Sequence, residues 1–264
     1  MIHLPFILNF GRSDLEEEML NPGESIITVN ENIRLIQRDK GHTFGTDAYL
    51  LSAFMLPKSS GKALELGAGT GIISLLSAAR DRFMHIDALE VQPEMADIAK
   101  RNVLLNGFED KIEIHHTDVR EWRGEYDAVF TNPPYIKADS GHHNPESTKN
   151  ASRREIFGTV YDFVACAARC LKFGGAFYCV FRPDRLCDLF EYMRACSIEP
   201  KRVINIYPDT AHQCSLVLVE GRRGGGSGSL FVTPPFLMNG ADGESEDCKY
   251  VYERGEFGER FRKY

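Results

Sequence analysis

A doubly wound α/β fold built on a mostly parallel, seven-stranded sheet is what this 264-residue sequence predicts, and three observations carry the expectation. From Lys62 onward, short strand-like runs alternate with helix-like runs at the lengths of βα units. A glycine-rich stretch sits where the first strand of that series hands over to its helix. The last two strand-like runs have no helix between them, so they are expected to close the sheet as a hairpin with one strand antiparallel. Such alternation gives a sheet with helices on both faces, joined by right-handed crossovers.

Taken in order, residues 1–40 read as an appendage. It holds an acidic helix from Leu15 to Leu20, then strands Ser25 to Val29 and Ile33 to Gln37 around the turn Asn30-Glu31-Asn32. Residues 41–237 form the main domain, opening on Ala48 to Met55, an apolar helical run that Pro57 stops. Its strands are expected at Ala63 to Leu66, His85 to Leu89, Ile112 to Ile114, Tyr126 to Thr131, Ala176 to Phe181, Val203 to Tyr207 and Leu216 to Glu220. Its helices are expected at Ile72 to Ala79, Glu94 to Leu105, Arg154 to Leu171 and Arg185 to Cys196. Ile136 to Ser152 reads as a linker and Phe173-Gly174-Gly175 as a turn. Gly221 to Ser229 reads as a flexible turn and residues 238–264 as a polar tail, of which Gly240 to Tyr264, short of aliphatic side chains, is expected to be partly disordered.

Composition bounds the function. Apolar residues make up 43% and charged residues 26%, the balance of a globular chain that buries a sizeable core. No apolar run is long enough to cross a bilayer, and Met1 to Gly11 lacks a basic signal-peptide region, so a cytoplasmic protein with no membrane partner is expected. With 31 basic and 38 acidic residues the net charge is −7, which disfavours a strongly basic nucleic-acid binder but leaves room for a local basic patch. The seven cysteines contain no C-x-x-C pair and are expected to be free thiols in a reducing compartment. Cys166 and Cys170, one helical turn apart, lack a partner pair at zinc-site spacing, and no metal is expected.

The glycine-rich stretch is Glu65-Leu66-Gly67-Ala68-Gly69-Thr70-Gly71. Small residues between strand and helix let a ligand lie against backbone at the carboxyl edge of the sheet. A dinucleotide fingerprint needs Gly or Ala three places after its second glycine, and Ile72 or Ser74 stands there on either count. The even spacing of the three glycines, with Glu65 two places before the first, instead resembles motif I of class I S-adenosylmethionine-dependent methyltransferases. A nicotinamide-dependent reductase is accordingly disfavoured. Glu90 closes the next strand 23 residues after Gly67, where an acidic side chain can accept from both ribose hydroxyls. The resemblance implies that Asp118 holds the adenine amine. It extends the cofactor-binding set to Thr46, Ala68, Thr70, Val91, Gln92, Val119 and Asn132.

Strand Tyr126 to Thr131 ends in Asn132-Pro133-Pro134-Tyr135. Two successive prolines cannot continue a ladder and make a stiff loop, which fixes the Asn132 side chain and the Pro133 carbonyl. An exocyclic aromatic amine is a poor nucleophile because its lone pair is delocalised into the ring. The Asn132 Oδ1 and Pro133 carbonyl oxygens are two acceptors for its two N–H bonds, and they turn the lone pair toward an electrophilic methyl, so catalysis is positioning and electrostatics. Tyr135 offers a stacking face for a planar substrate. No general base is needed, because the proton becomes acidic only as the methylated nitrogen becomes cationic.

Asn-Pro-Pro-Tyr occurs both in adenine-amine and in protein-glutamine methyltransferases. The wider pattern includes Phe44-Gly45-Thr46-Asp47 with Leu50-Leu51, Ala151-Ser152-Arg153-Arg154-Glu155, Phe181-Arg182-Pro183 and Leu216-Val217-Leu218-Val219-Glu220. Together these resemble the bacterial tRNA1(Val) adenine-N6-methyltransferase family, over about Gly41 to Pro235. That resemblance implies S-adenosylmethionine as cofactor, tRNA as substrate partner and the anticodon-loop adenosine 37 as target. An anticodon-loop base is already unpaired, so it can be splayed into a pocket without opening a duplex. Lys137, Lys149, Arg153 and Arg154 flank the catalytic loop and, with Arg182, Arg222 and Arg223, are candidates for phosphate contacts. Phe44 is a candidate wall of the base pocket or cap over the cofactor, with a plain core position as the alternative. The competing readings are a glutamine N5-methyltransferase acting on a release factor and a catalytically silent RNA-binding module.

Overall fold

The central sheet of this computed structural model, which describes residues 18–30, 32–39, 45–134 and 158–262, runs in the order β5-β4-β3-β6-β7-β9-β8. Its strands are β3 (Lys58–Leu66), β4 (Phe83–Glu90), β5 (Ile112–His116), β6 (Tyr126–Thr131), β7 (Leu171–Phe181), β8 (Ile198–Tyr207) and β9 (Leu216–Arg223). Pairing is parallel from β5 through β7, while β9 lies antiparallel to both β7 and β8. The seven long strands overlap the expected ones, although β3, β7 and β8 begin earlier than expected, and among the described residues the sheet holds nine strands, not seven. Two further two-residue strands, β10 (Phe231–Val232) and β11 (Phe236–Leu237), add parallel to the outer side of β8.

Among the described residues five helices serve the sheet: α1 (Thr46–Phe54), α2 (Ile72–Ala78), α3 (Pro93–Asn106), α4 (Val160–Cys170) and α5 (Leu186–Ala195). Their ends follow local chemistry. α3 starts with Pro93 in its first turn and stops at Gly107 in the left-handed region, φ +68°. α4 begins with a capping box in which Thr159 and Asp162 satisfy each other's backbone N–H groups. Because side chains alternate along each strand, Ala63, Ile86, Ala88 and Phe130 join the core under α1, α2 and α3. Leu64, Leu89, Val129 and Phe177 join the core under α4 and α5.

The hairpin β1 (Glu24–Asn30) and β2 (Ile33–Arg38) forms as expected and docks on α3. Asn102 is the hinge of that docking: its Oδ1 accepts from Ile36 N at 2.6 Å, and its Nδ2 donates to Ile36 O and to Thr70 O, both at 3.0 Å. The hairpin thereby reaches the glycine turn through a buried amide. Leu15, Glu16 and Glu17, the first half of the expected helix Leu15 to Leu20, lie outside the described residues, as does the linker Ile136 to Ser152.

Three expectations change. Phe173-Gly174-Gly175 is not a turn; β7 runs through it, with Gly174 at φ +76° accommodating the irregular register. Gly221 to Arg223 continue β9 instead of opening a flexible loop.

The third change is larger, because the tail expected to be partly disordered is folded. A short hairpin, β12 (Asn239–Gly240) with β13 (Gly243–Glu244), leads into α6 (Glu246–Arg254), whose N-cap Ser245 accepts from Cys248 N at 3.0 Å. Phe257 and Phe261 are 1% exposed, which makes them core residues. They pack against Phe236, with ring centroids 5.0 and 5.5 Å away, and Phe257 also meets Phe54 of α1. Buried arginines complete the attachment. Arg82 donates to Met55 O and Gly255 O, while Arg202 donates to Phe54 O and Phe261 O and is ion-paired with Glu220 at 2.7 Å. Among the described residues no helix is long and apolar enough to cross a membrane.

Candidate active site

Gly67, Gly69 and Gly71 all take left-handed backbone angles, φ +71°, +56° and +80°. A side chain would cost roughly 1–2 kcal/mol at each from conformation alone. Their surroundings differ. A Cβ on Gly67 would press to 3.1 Å from the Phe163 ring, whereas one on Gly69 would meet nothing within 4 Å. The turn is pinned to β4 by Ala68 N donating to Leu89 O and Gly69 N donating to Glu90 Oε2, each at 2.8 Å. Glu90, 4% exposed, also accepts from Gln92 N at 2.9 Å, so both carboxylate oxygens are held by the backbone flanking the turn. Val91 sits beside it, its carbonyl 3.1 Å from His116 Nε2.

Glu65, one residue before the end of β3, is fully buried. Its Oε2 accepts from Ser74 N at 3.2 Å and from the Ser74 hydroxyl, while its Oε1 has no partner among the described residues. Burial pushes its carboxyl up to about 8; the Ser74 hydrogen bonds oppose that rise and the nearby Glu90 adds to it.

Asp118 follows β5 with Arg120 clasped on it, Nε donating to Oδ1 and Oδ2 at 3.0 Å, which keeps the carboxyl below its usual range. Val119 is buried beside it.

The end of β6 lies against the end of β3. Thr131 Oγ1 donates to Leu66 O at 2.8 Å, joining the strand that leads into Asn132 to the strand that leads into Gly67. Pro133 is buried and Pro134 half-buried. Asn132 Nδ2 donates to Asp47 Oδ2 at 2.7 Å, bringing the start of α1 to the same edge. Thr46, the first residue of α1, is exposed next to it and shares a side-chain hydrogen bond with Tyr252 of α6.

Glu65, the glycine turn, Glu90 and Asn132 therefore meet around the carboxyl ends of β3, β4 and β6. Asp118 belongs to the same edge at β5. Arg182, just past the end of β7, is on that edge too, ion-paired with Asp184 at 2.7 Å. Arg222 and Arg223 are not: β9 runs antiparallel, and Arg222 pairs in register with Ala176, midway along β7 and away from its carboxyl end. Arg222 instead meets Glu220, and Arg223 donates to Ala168 O and Ser197 O. Tyr135, Phe44, Lys137, Lys149, Arg153 and Arg154 lie outside the described residues. The sequence reading gave Asp47 no role, because a contact across 85 residues leaves no periodic signal.

Comparison with known proteins identifies the family. Residues 42–194 match the family described as "Methyltransferase small domain". The chain is 27% identical over 207 residues to a tRNA1(Val) (adenine(37)-N6)-methyltransferase of Dyadobacter fermentans, covering 78% of this chain and 85% of that one. It is 31% identical over 150 residues to the protein of the same name from Shigella dysenteriae, spanning 59% of that relative's length. Among solved structures, a predicted O-methyltransferase of Agrobacterium tumefaciens superposes with a TM-score of 0.64 at 21% identity, covering 81% of this chain and 98% of its own. A tRNA m1G37 methyltransferase of M. jannaschii gives 0.52 at 18% identity, covering 78% and 59%. At those identities the two structures speak to the fold alone.

Proposed function

Because the chain belongs to the methyltransferase small domain family, we propose that it transfers a methyl group from S-adenosylmethionine to the exocyclic N6 amine of adenosine 37 in a tRNA anticodon loop. The observation that carries this reading is the junction of β3 and β6, where the Asn132-Pro133-Pro134 loop and the glycine turn leave adjacent strands tied by Thr131. The names of the relatives matched at 27% and 31% identity support the adenine and the tRNA.

The residues fit the cofactor. Gly69 opens onto space that a side chain would fill, and Glu65 Oε1 is a buried polar atom without a partner among the described residues, on a carboxyl that a cationic ligand beside it would draw toward its charged form. Glu90 already organises the turn with two backbone donors and retains lone pairs for ribose hydroxyls. S-adenosylmethionine supplies a methyl group on a positively charged sulfur, an electrophile that needs no metal to activate it.

The protein's own task is placement of the acceptor. Asn132 Oδ1 and the Pro133 carbonyl accept the two N–H bonds of the amine and turn its lone pair toward the methyl carbon. The lone pair would form the new N–C bond as the methyl carbon's bond to the donor sulfur breaks, its electron pair staying on the sulfur of the neutral thioether product, and the proton would leave the cationic nitrogen for solvent. Asp118 and Arg120 are a rigid pair at the adenine end, and Arg182 is a cation on the rim for an RNA phosphate.

The test is incubation of the protein with radiolabelled methyl donor and either total tRNA or release factor, followed by mass spectrometry of tRNA nucleosides. N6-methyladenosine at position 37 is expected; label in protein alone would refute the reading.

A further inference from the structure

Asn132 carries two chemically opposite ends of nearly equal shape, and an acceptor amine needs the oxygen. Which end faces the substrate is decided by what holds the other. Asp47 Oδ2 lies 2.7 Å from Asn132 Nδ2, and a carboxylate can only accept, so a flipped amide would set oxygen against oxygen. We propose that Asp47 is a positioning residue for methyl transfer: it locks the Asn132 amide with Nδ2 toward α1 and Oδ1 toward the acceptor nitrogen. The inference rests on the methyl-transfer reading above and adds to it a residue that acts through Asn132.

The geometry around Asp47 is built for this. Its second oxygen, Oδ1, accepts from Ala48 N at 2.9 Å, so the carboxylate folds back over the start of α1 and does not swing in solvent. Gly45 makes room for that fold: a Cβ there would stand 2.6 Å from Asp47 Oδ1. Gly45 has φ −106°, an angle open to any residue, so space for the carboxylate is what its lack of a side chain provides. α1 itself is held from behind. Tyr49 OH donates to Tyr252 O and accepts from Arg80 Nη2, each at 2.8 Å, and the Tyr49 and Tyr252 rings lie 4.9 Å apart. A hydrogen bond to a full negative charge also polarises the amide and makes its oxygen a better acceptor.

Three variants test the proposal. Asp47→Ala removes the lock and is expected to lower kcat by about tenfold to a hundredfold, the scale for a misplaced catalytic group, with cofactor Kd and tRNA KM within about threefold of wild type. Asp47→Asn can still present an amide oxygen to Asn132 Nδ2 and is expected to recover most of the lost kcat. Gly45→Ala keeps the carboxylate but displaces it, at little cost to folding because only a side-chain end must move, and is expected to fall between the two.

The second readout needs no turnover. The Asn132 side-chain amide in a ¹⁵N correlation spectrum, identified by its loss in Asn132→Ala, is expected to be shifted downfield in wild type and to relax in Asp47→Ala. A wild-type protein that methylates no tRNA yet shows this Asp47-dependent shift would refute the substrate reading and leave the lock standing. An Asp47→Ala kcat within twofold of wild type, a loss confined to cofactor affinity, or Asp47→Asn no better than Asp47→Ala would each overturn it.

Discussion

Glu65→Gln is expected to remove a pH dependence of folding that the wild-type protein must show. Glu65 is fully buried, and burial holds its carboxyl at about 8 in the folded protein, against an ordinary value of 4.5. Below pH 4.5 folded and unfolded chains both carry the proton, so Glu65 exerts no differential effect. Between 4.5 and about 8 the unfolded chain has released it and the folded chain has not, so folding stability falls by about 1.4 kcal/mol for each pH unit. Across that interval the loss is about 5 kcal/mol, complete once the pH passes the folded value. A glutamine keeps an oxygen for Ser74 N and the Ser74 hydroxyl but does not titrate. Urea unfolding of the ligand-free protein at pH 5, 6, 7 and 8 measures the effect. Wild type and variant should be close at pH 5 and diverge steadily in favour of the variant by pH 8. Parallel curves across that range would refute the assignment of a neutral, buried Glu65.

Other perturbations separate binding, chemistry and folding. Asn132→Ala is expected to leave cofactor affinity nearly intact and to cut turnover by at least about a hundredfold, the scale for one preorganised polar contact; near-normal single-turnover rates would remove Asn132 from the chemistry. Gly69→Leu fills the open space beside the turn and strains a backbone at φ +56°, so titration calorimetry should detect no cofactor binding while circular dichroism remains that of the wild type. Phe257→Ala empties a buried site between Phe54, Phe236 and Phe261, and a loss of about 3–5 kcal/mol is expected. A melting temperature within a degree or two of wild type would show that the C-terminal segment is dispensable to the core.

The βα rhythm is legible where a unit carries its own punctuation, as Pro93 and Gly107 bound α3; the helix expected from Arg154 instead starts at Val160, behind the capping box of Thr159 and Asp162. The start of β7 differs because Gly174-Gly175 is turn chemistry by composition, while the strand carries it as a bulge between the Leu171 and Ala176 pairs with β6. The C-terminal segment was misread for a different reason. Its buried residues, Cys248, Val251, Phe257 and Phe261, are few and separated by charged side chains, so composition reports the solvated face and hides the packed one. The same applies to the net charge of −7, part of which belongs to α6 and its flanks, on the side of the molecule where Phe257 and Phe261 are buried.

The meeting of the two motifs follows from topology. Leu66 and Thr131 are 65 residues apart, yet β3 and β6 are neighbours because the strand order reverses between them, and open α/β sheets bind ligands at such a switch point. Right-handed crossovers make that reversal readable from sequence. No comparable rule says which residue will stand behind the Asn132 amide. Asp47 comes from the helix that precedes the first core strand, and its place is set by how α1 seats. That seating depends on Tyr49 reaching Tyr252, 203 residues away, and on Phe54 meeting Phe257 and the Arg202 guanidinium, whose centre stands 4.0 Å from its ring centroid. The aromatic tail that composition concealed and the carboxylate that the motif left without a role are therefore one omission. Both depend on α1 being clamped by the end of the chain, and the Phe257→Ala protein should lose part of the Asp47-dependent amide shift along with its stability.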